Sequence, residues 1–349
     1  MTPPKLLDDH VRFRFADPGG GLAGVSLQCS PAVPGPRDFS REGGRWELRL
    51  PRPGLHRLEY RLALTHADGR HEVVLDPDNP VAVPTVFGER SVLELPGYTA
   101  PAWLRRPAVE GAYEALQVMG ETADALPVTV WSPLGTAGEE ALPLLVVHDG
   151  PEYDVYASIT RYSAAQIAVG TLPPHRVALA QPVDRDAWYS GSPRYLRTLL
   201  QAGLDQLTAT YAVSGPVVVM GASLGGLTAL LAGLLGAPQV GGVFAQSGSF
   251  FQVQHDDEES GFRYFGRISR TVASVLDARH TDHPLRVAMT CGALEGNLCN
   301  NEDMAAALRR AGHEVTFSTV PDLHNYTAWR DSLDPALTDL LRKCWGTTG

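Results

Sequence analysis

A serine flanked by small residues is the chemically most informative feature of this chain. The stretch "PVVVMGASLGGLTALLAG" contains a G-x-S-x-G pattern centred on Ser223, with apolar residues before it and small or aliphatic residues after it. Between a strand and a helix, this pattern holds a serine hydroxyl on a sharp turn where it acts as a nucleophile. No G-K-[ST] follows, so the pattern does not fit a phosphate-binding loop. The residues predict that Ser223 is a catalytic nucleophile.

A serine nucleophile needs a base that removes its proton, and in this architecture the base follows the serine along the chain. His324 comes directly after the last predicted strand, "EVTFSTV", where ligand-facing residues of parallel sheets collect. His313 precedes that strand and belongs to the opposite edge. The spacing therefore predicts His324 as the base. The other histidines after the serine are interpreted as surface residues: His255, His280 and His283.

A carboxylate that orients the histidine is expected after the preceding strand, "LRVAMT". Glu295 lies there in the loop "CGALEGNL". Glu302 and Asp303 are alternatives, but they fall in the first turn of a predicted helix over 300–312, where acids complement the helix dipole. We predict Glu295, with those two residues or a Ser-His dyad without an acid as alternatives.

Two backbone N–H groups are expected to stabilise the negative charge that develops on a substrate oxygen. One belongs to Leu224, the residue after the nucleophile. The other comes from the loop "HDGPEY". Proline has no N–H, so Pro151 is excluded, which leaves Gly150, our preference, or Glu152 after a tight turn. His148, at the start of that loop, is interpreted as a packed residue at a strand end.

Aromatic residues and an arginine occupy loops expected at the carboxyl ends of the strands. They are candidates for a substrate-binding wall that suits an aryl acyl group, and the alternative is that the aromatic residues belong to the core and the arginine is an exposed surface residue. The candidates are Tyr153, Trp188, Tyr189, Phe250, Trp329 and Arg185.

Two kinds of periodicity divide the chain. Up to residue 97, short alternating apolar segments separated by proline- and glycine-rich turns predict a small β-sandwich. Residues 98–111 carry proline and charge without periodicity and are predicted to be a linker. Over 112–349, apolar strands alternate with helical segments, which predicts an α/β fold with a mostly parallel central sheet.

The overall composition limits the classes of binding partner and the location that we expect. The 349 residues include 39 acidic and 29 basic ones, for a formal charge of −10, which argues against nucleic acid. We expect a cytoplasmic protein because neither a leader nor a membrane-spanning segment is visible. The four cysteines show no zinc-binding spacing. The sequence carries no signal for an oligomeric state.

Five motifs in order resemble those of the enterochelin (ferric siderophore) esterases, a branch of the esterase D-like α/β-hydrolases. They are "HDGPEY", "GASLGG", "AQSGSFF", "CGALEGNL" and "HNYTAWRD". The resemblance spans about 112–345 and implies an α/β-hydrolase fold behind an immunoglobulin-like domain. It also implies serine ester hydrolysis with Ser223, Glu295 and His324, and no metal or organic cofactor.

The leading hypothesis is therefore a serine carboxylic-ester hydrolase that forms an acyl-enzyme on a small-molecule ester, such as a siderophore-type lactone or an aryl ester. An acyltransferase with the same residues and an inactive hydrolase-fold binding protein are the alternatives. One departure concerns the helix before the nucleophile strand. It has "GLDQLTATYAV" where the family often has an acidic Glu-Leu-Leu-Pro.

Overall fold

The structure is a computed structural model and describes residues 3–120, 125–136 and 138–346. The chain divides into two compact units. They are Met1–Thr99 with Pro321–Leu323, and Ala100–Val320 with His324–Gly349. Part of the predicted linker, 98–111, packs within the second unit: Trp103 is fully buried there, edge-on to Tyr162 at 5.4 Å between ring centroids.

The first unit is all-β, as the alternating pattern predicts. Its strands are β1 (Lys5–Leu6), β2 (His10–Ala16), β3 (Leu22–Gln28), β4 (Ser40–Glu42), β5 (Arg45–Pro51), β6 (Arg57–His66), β7 (His71–Val74), β8 (Ala82–Val83) and β9 (Arg90–Glu94). In the described residues they form a four-stranded sheet, β1-β2-β5-β4, and a five-stranded sheet, β3-β6-β9-β8 with β7 on β6. Phe13 of β2 meets Tyr60 of β6 at 5.1 Å, so the buried faces of the two sheets pack together.

The second unit contains a mixed sheet. Its strands are β10 (Gly111–Met119), β11 (Ala125–Pro133), β12 (Leu144–His148), β13 (Arg176–Ala180), β14 (Val217–Ala222), β15 (Val240–Gln246), β16 (Arg286–Gly292) and β17 (Glu314–Val320). Over the described ranges these eight strands have the order β10-β11-β13-β12-β14-β15-β16-β17. The β10–β11 and β11–β13 pairs are antiparallel, and the pairs from β13 to β17 are parallel.

Strands β14, β16 and β17 overlap the apolar segments "PVVVM", "LRVAMT" and "EVTFSTV", which the sequence pattern predicts to be strands. Strand β10 is not apparent from the sequence, because most of its side chains are exposed and it carries no clear alternation. It begins at the end of the predicted linker, which has no periodicity.

Helices connect the strands. They are α1 (Gly150–Ala157), α2 (Ile159–Ala168), α3 (Arg185–Tyr189), α4 (Pro193–Arg197), α5 (Leu204–Thr210), α6 (Leu224–Gly236), α7 (Phe265–Asp277), α8 (Leu298–Ala311), α9 (Tyr326–Asp331) and α10 (Leu333–Trp345). Short 3₁₀ turns cover Ala102–Arg105 and Glu258–Gly261. A π-helical segment, Thr198–Gly203, lies between α4 and α5, so the helical stretch over 193–210 is not one regular α-helix.

The core lies on both faces of the mixed sheet, because successive side chains of a strand point to opposite faces. On β14, Val217 and Val219 pack in the cluster that includes the apolar side of α6. Val218 and Met220 pack in the other cluster, which includes the apolar side of α10. With both faces covered, the ends of the strands are where a site can open to solvent.

Among the described residues, no helix combines the length and the apolar character that crossing a membrane requires.

A buried histidine near β13 makes the stability of the fold depend on pH. His175 is fully buried, and its Nδ1 donates to the carbonyl oxygen of Pro173 at 2.9 Å. Burial lowers the pKa of His175 to about 4, and the bond to Pro173 only partly opposes that effect. The unfolded state takes up a proton near pH 6.5, whereas the folded state takes it up only near pH 4. The stabilisation is therefore complete above about pH 6.5 and is lost as the pH falls toward 4.

Replacing His175 should flatten this dependence. We expect His175→Phe to reduce the slope of unfolding free energy against pH, between about 4.5 and 6, by up to about 1.4 kcal/mol per pH unit. Urea unfolding at several pH values measures the slope. Trp345→Phe is the control, since Trp345 packs on His175 at 5.1 Å. That variant should lose stability and keep the wild-type slope. An unchanged slope in His175→Phe would contradict the prediction.

Candidate active site

The predicted nucleophile lies on a sharp turn between β14 and α6. Ser223 has φ 56° and ψ −125°, a positive φ that residues with a side chain rarely adopt. Its N–H donates to the carbonyl oxygen of Gln246 at 2.9 Å, and its own carbonyl accepts the N–H of Ser249 at 3.0 Å. Ser223 is partly exposed, while the residues on either side are buried. The backbone thus presents the hydroxyl outward, at a conformational cost of about 1–3 kcal/mol.

The glycines beside Ser223 are required by close packing. A Cβ on Gly221 would lie 2.4 Å from the carbonyl oxygen of Gly225, a backbone atom that cannot move aside. A Cβ on Gly226 would come within 3.2 Å of the carbonyl oxygen of Gln246. Helix α6 therefore starts directly against the end of β14, as the G-x-S-x-G pattern predicts.

His324 and Glu295 meet at the same end of the sheet. His324 Nδ1 lies 2.6 Å from Glu295 Oε2, and the Glu295 side chain is only 3% exposed, against 42% for His324. A carboxylate only accepts hydrogen bonds, so Nδ1 carries the proton and Nε2 of the neutral ring is left with its lone pair. One nitrogen of the imidazole is therefore held by Glu295, and the other nitrogen is able to accept a proton.

The alternative acids lie elsewhere. Glu302 and Asp303 are exposed on α8, and Asp303 pairs with His255 at 3.5 Å. The structure therefore brings Glu295, rather than either of them, to His324. His148 is fully buried, with Nδ1 3.0 Å from the carbonyl oxygen of Met220, and burial lowers its pKa to about 4.

Two helix N-termini adjoin the serine. Leu224 is the first residue of α6, and Gly150 is the first residue of α1. The first N–H groups of a helix have no intrahelical acceptor. Strands β14 and β12 lead into the two helices and are parallel neighbours. Both N–H groups therefore lie at the carboxyl ends of adjacent strands, on the same side of the sheet's mid-line. A Cβ on Gly150 would lie 2.3 Å from Leu179 Cα, which explains why glycine begins α1.

The residue before Gly150 is tightly held. Asp149 has φ 53° and is nearly buried, and its carboxylate accepts hydrogen bonds from Arg185 Nε at 2.9 Å and Nη2 at 2.8 Å. Burial alone would lower the pKa of Arg185, but the hydrogen bonds and charge of Asp149 outweigh it and raise the pKa. Arg185 is thus engaged with the loop that carries Gly150, and its role in substrate binding stays a prediction.

Of the two interpretations of the aromatic residues, burial favours the core for most. Tyr153, Tyr189 and Phe250 are fully buried, and the Tyr153 hydroxyl donates to Gln246 Oε1 at 2.8 Å. They lie beneath the candidate site rather than on its surface. Trp188 is half-buried and stacks on Tyr195 at 5.1 Å.

Trp329 is 7% exposed and has its ring edge-on to His324, with 5.0 Å between centroids. Among the predicted wall residues, all of which lie in the described part of the chain, Trp329 is the one whose ring packs against the histidine.

Two serines in the loop after β15 were not among the predicted site residues. Ser249 Oγ lies 3.2 Å from Ser223 Oγ, and Ser247 Oγ lies 2.7 Å from Glu295 Oε1. This loop therefore links the serine to the carboxylate. The available signal was the motif "AQSGSFF" at the carboxyl end of the strand next to β14, where polar residues of a parallel sheet meet a site.

The fold is the hydrolase-like α/β fold of known esterases. The enterobactin esterase FES from Shigella flexneri, in a crystal structure in the presence of enterobactin, superposes with a TM-score of 0.78 at 21% identity over 98% of this chain and 97% of that chain. The ferric enterobactin esterase from Salmonella typhimurium gives a TM-score of 0.77 at 20% identity, with the same two coverages. At these identities the similarity shows the fold.

The chain belongs to the esterase family described as "Putative esterase", whose model matches residues 121–340. The iron(III) enterobactin esterase of Dickeya dadantii is 29% identical over 208 residues, which cover 55% of this chain and 46% of that protein. The chain thus spans about half the length of that relative. The iron(III) enterobactin esterase of Escherichia coli O6:H1 is 24% identical over 292 residues, 77% of this chain and 68% of that protein. The resemblance to enterochelin esterases is confirmed.

Removing Arg185 should destabilise the loop before α1. We expect Arg185→Met to lower the free energy of unfolding by about 2 kcal/mol, because it leaves the buried Asp149 carboxylate unpaired. The cost is smaller than for a fully buried pair because the Arg185 side chain is 40% exposed. Urea unfolding at neutral pH measures it.

Two further variants test the cause. Arg197→Met makes the same change on an exposed arginine of α4 and should have little effect. In an Asp149→Asn background, Arg185→Met should cost clearly less, because no buried charge is left behind. Equal costs in both backgrounds would contradict the ion-pair explanation.

Proposed function

We propose that this chain is a serine carboxylic-ester hydrolase that forms an acyl-enzyme on Ser223. The single observation that carries the proposal is the 2.6 Å contact between His324 Nδ1 and the buried Glu295 carboxylate, at the sheet edge where Ser223 sits on its strained turn. Membership of the esterase family supports the same conclusion.

The proposed reaction has two steps. His324 Nε2 takes the Ser223 proton as the hydroxyl oxygen attacks the ester carbonyl, and the protonated ring then gives that proton to the leaving alcohol. Water, deprotonated by the same ring, hydrolyses the acyl-enzyme. Glu295 holds the ring orientation and stabilises the imidazolium that forms in each step.

Two N–H groups are proposed to form the oxyanion hole. The Leu224 N–H at the start of α6 and the Gly150 N–H at the start of α1 would both donate to the substrate oxygen. The positive ends of two helix dipoles would add to the stabilisation of that charge. The Asp149–Arg185 pair supports this assignment because it fixes the loop that ends at Gly150.

We further propose that the substrate is an ester siderophore of the enterobactin type. The reported relatives are named as iron(III) enterobactin esterases, and the structural match to the Shigella flexneri esterase covers 98% of this chain. Because the named relatives are esterases, hydrolysis is favoured over acyl transfer. The presence of Ser223 and of a His324–Glu295 pair favours activity over an inactive binding protein.

The finer assignments of the sequence analysis complete the proposal. Residues 1–97 are proposed to form an immunoglobulin-like domain, supported by the two packed antiparallel sheets, and 112–349 the catalytic domain. A cytoplasmic location is supported by free thiols at Cys29, Cys291, Cys299 and Cys344.

Loss of the serine hydroxyl tests the mechanism. Ser223→Ala should lower kcat for ester hydrolysis by about 10⁴-fold or more, with the thermal unfolding midpoint close to that of the wild type. Labelling by a fluorophosphonate probe should also disappear. Ser269→Ala, which removes a buried hydroxyl from α7, is the matched control and should retain both activities. Ester cleavage that persists in Ser223→Ala would refute the assignment.

A substrate panel tests the substrate class. Initial rates on ferric enterobactin, iron-free enterobactin, p-nitrophenyl acetate and an alkyl acetate should show a kcat/KM for the enterobactin forms at least about 100-fold above that of the simple esters. Equal or higher values for the simple esters would reject the siderophore assignment while leaving the esterase mechanism in place.

A further inference from the structure

A buried chain of hydrogen bonds runs from an indole to the carboxylate behind His324. Trp329 Nε1 donates to Ser247 Oγ at 3.0 Å, and Ser247 Oγ lies 2.7 Å from Glu295 Oε1. Glu295 Oε1 also accepts the N–H of Gly292 at 2.7 Å, while Glu295 Oε2 faces His324. An indole N–H is only a donor, so the Ser247 hydrogen must point to the carboxylate. The direction of every bond in the chain is thereby fixed.

The backbone gives Ser247 little freedom to move. Its φ is 48°, a conformation that glycine adopts at no cost and serine does not. Its N–H donates to the carbonyl oxygen of Thr290 at 2.7 Å, and its carbonyl accepts a bond from Asn297 Nδ2 at 3.0 Å. The residue is 1% exposed. A side chain is therefore held in an unfavourable backbone conformation, and its hydroxyl bridges Trp329 and Glu295.

Trp329 acts on both members of the pair. The indole ring packs nearly perpendicular to the His324 imidazole, with an angle of 84° between the two ring planes. The indole N–H is linked to Glu295 through Ser247. Helix α9 is itself anchored beside this chain, since Gln246 Nε2 donates to the Trp329 carbonyl oxygen at 2.9 Å. Trp329 is thus held in place both by its backbone carbonyl and by its indole N–H.

We propose that Ser247 and Trp329 are positioning residues that select which oxygen of Glu295 faces His324 and disperse the negative charge of the other oxygen. This inference rests on the proposed function. Without the hydroxyl, Oε1 keeps only the Gly292 donor, so more negative charge remains available to the imidazolium. His324 should then hold its proton to a higher pH.

Titratable groups around the pair stay uncharged or lie outside the chain of bonds. Burial, with the charge of Glu295, raises the pKa of the Cys291 thiol well above its usual range. Burial likewise raises the pKa of Tyr153 on α1 and of Tyr326 on α9. A further carboxyl is that of Glu302 on α8, whose charge acts on Cys291. The variants below leave all of these groups in place.

The test compares Ser247→Gly, which removes the hydroxyl and suits the positive φ, with Trp329→Phe, which keeps a ring but removes the donor. In Ser247→Gly the titration midpoint of His324, followed by NMR of protein with ¹³Cε1-labelled histidine and assigned with His324→Gln, should rise by about half a pH unit. The acid limb of kcat/KM on p-nitrophenyl acetate should move by the same amount. We expect kcat to fall about 10- to 100-fold and KM to change less than about twofold.

Trp329→Phe should shift the midpoint in the same direction by a smaller amount, because a hydroxyl that accepts no bond is a weaker donor. Ser269→Ala, the control, should leave the midpoint unchanged. A midpoint that stays at the wild-type value or falls in Ser247→Gly would overturn the inference, even if kcat drops. The NMR readout needs no turnover, so a shifted midpoint in a protein that cleaves no ester would reject the proposed function alone.

Discussion

The close approach of β14 and α6 is the constraint on which the rest of the site depends. With a Cβ at Gly221 only 2.4 Å from the Gly225 carbonyl oxygen, this position excludes any side chain. That contact allows the chain to reverse within one residue, so Ser223 takes a positive φ and the first N–H of α6 lies beside its hydroxyl. The backbone strain is stabilised from outside, by the bonds to Gln246 and Ser249.

A second constraint is the burial of a carboxylate. Glu295 is almost inaccessible to solvent, and an ion in that position is costly unless donors surround it. Its oxygens accept bonds from Gly292, Ser247 and His324. The segment after β16, the loop after β15 and the loop after β17 therefore have to converge for the charge to be accommodated. The buried charge of Glu295 is accommodated only when these three segments have their native positions.

Much of this arrangement follows from short-range sequence patterns. The apolar strands and the G-x-S-x-G turn are local signals, and the position of His324 after the last strand follows from chain order. Side-chain burial is a long-range property, which is why Tyr153 and Phe250 could not be separated from wall residues in advance. The motif "AQSGSFF" contains Ser247, but a motif alone does not reveal which buried partners a serine hydroxyl contacts, so its bond to Glu295 was not predicted. Strand β10 and the π-helical segment were missed because exposed or irregular elements lack periodicity.

The parallel part of the sheet has a consequence for how the molecule is assembled. The residues around the carboxylate and the serine come from segments spread between 148 and 329, which the neighbouring strands bring together. Contacts between such distant segments form late, because loop-closure entropy opposes them until most of the sheet exists. A partly folded chain would then possess many native helices and still lack the site. The return of enzyme activity during refolding would accordingly follow completion of the whole sheet, whereas far-UV circular dichroism would follow formation of the individual helices and strands.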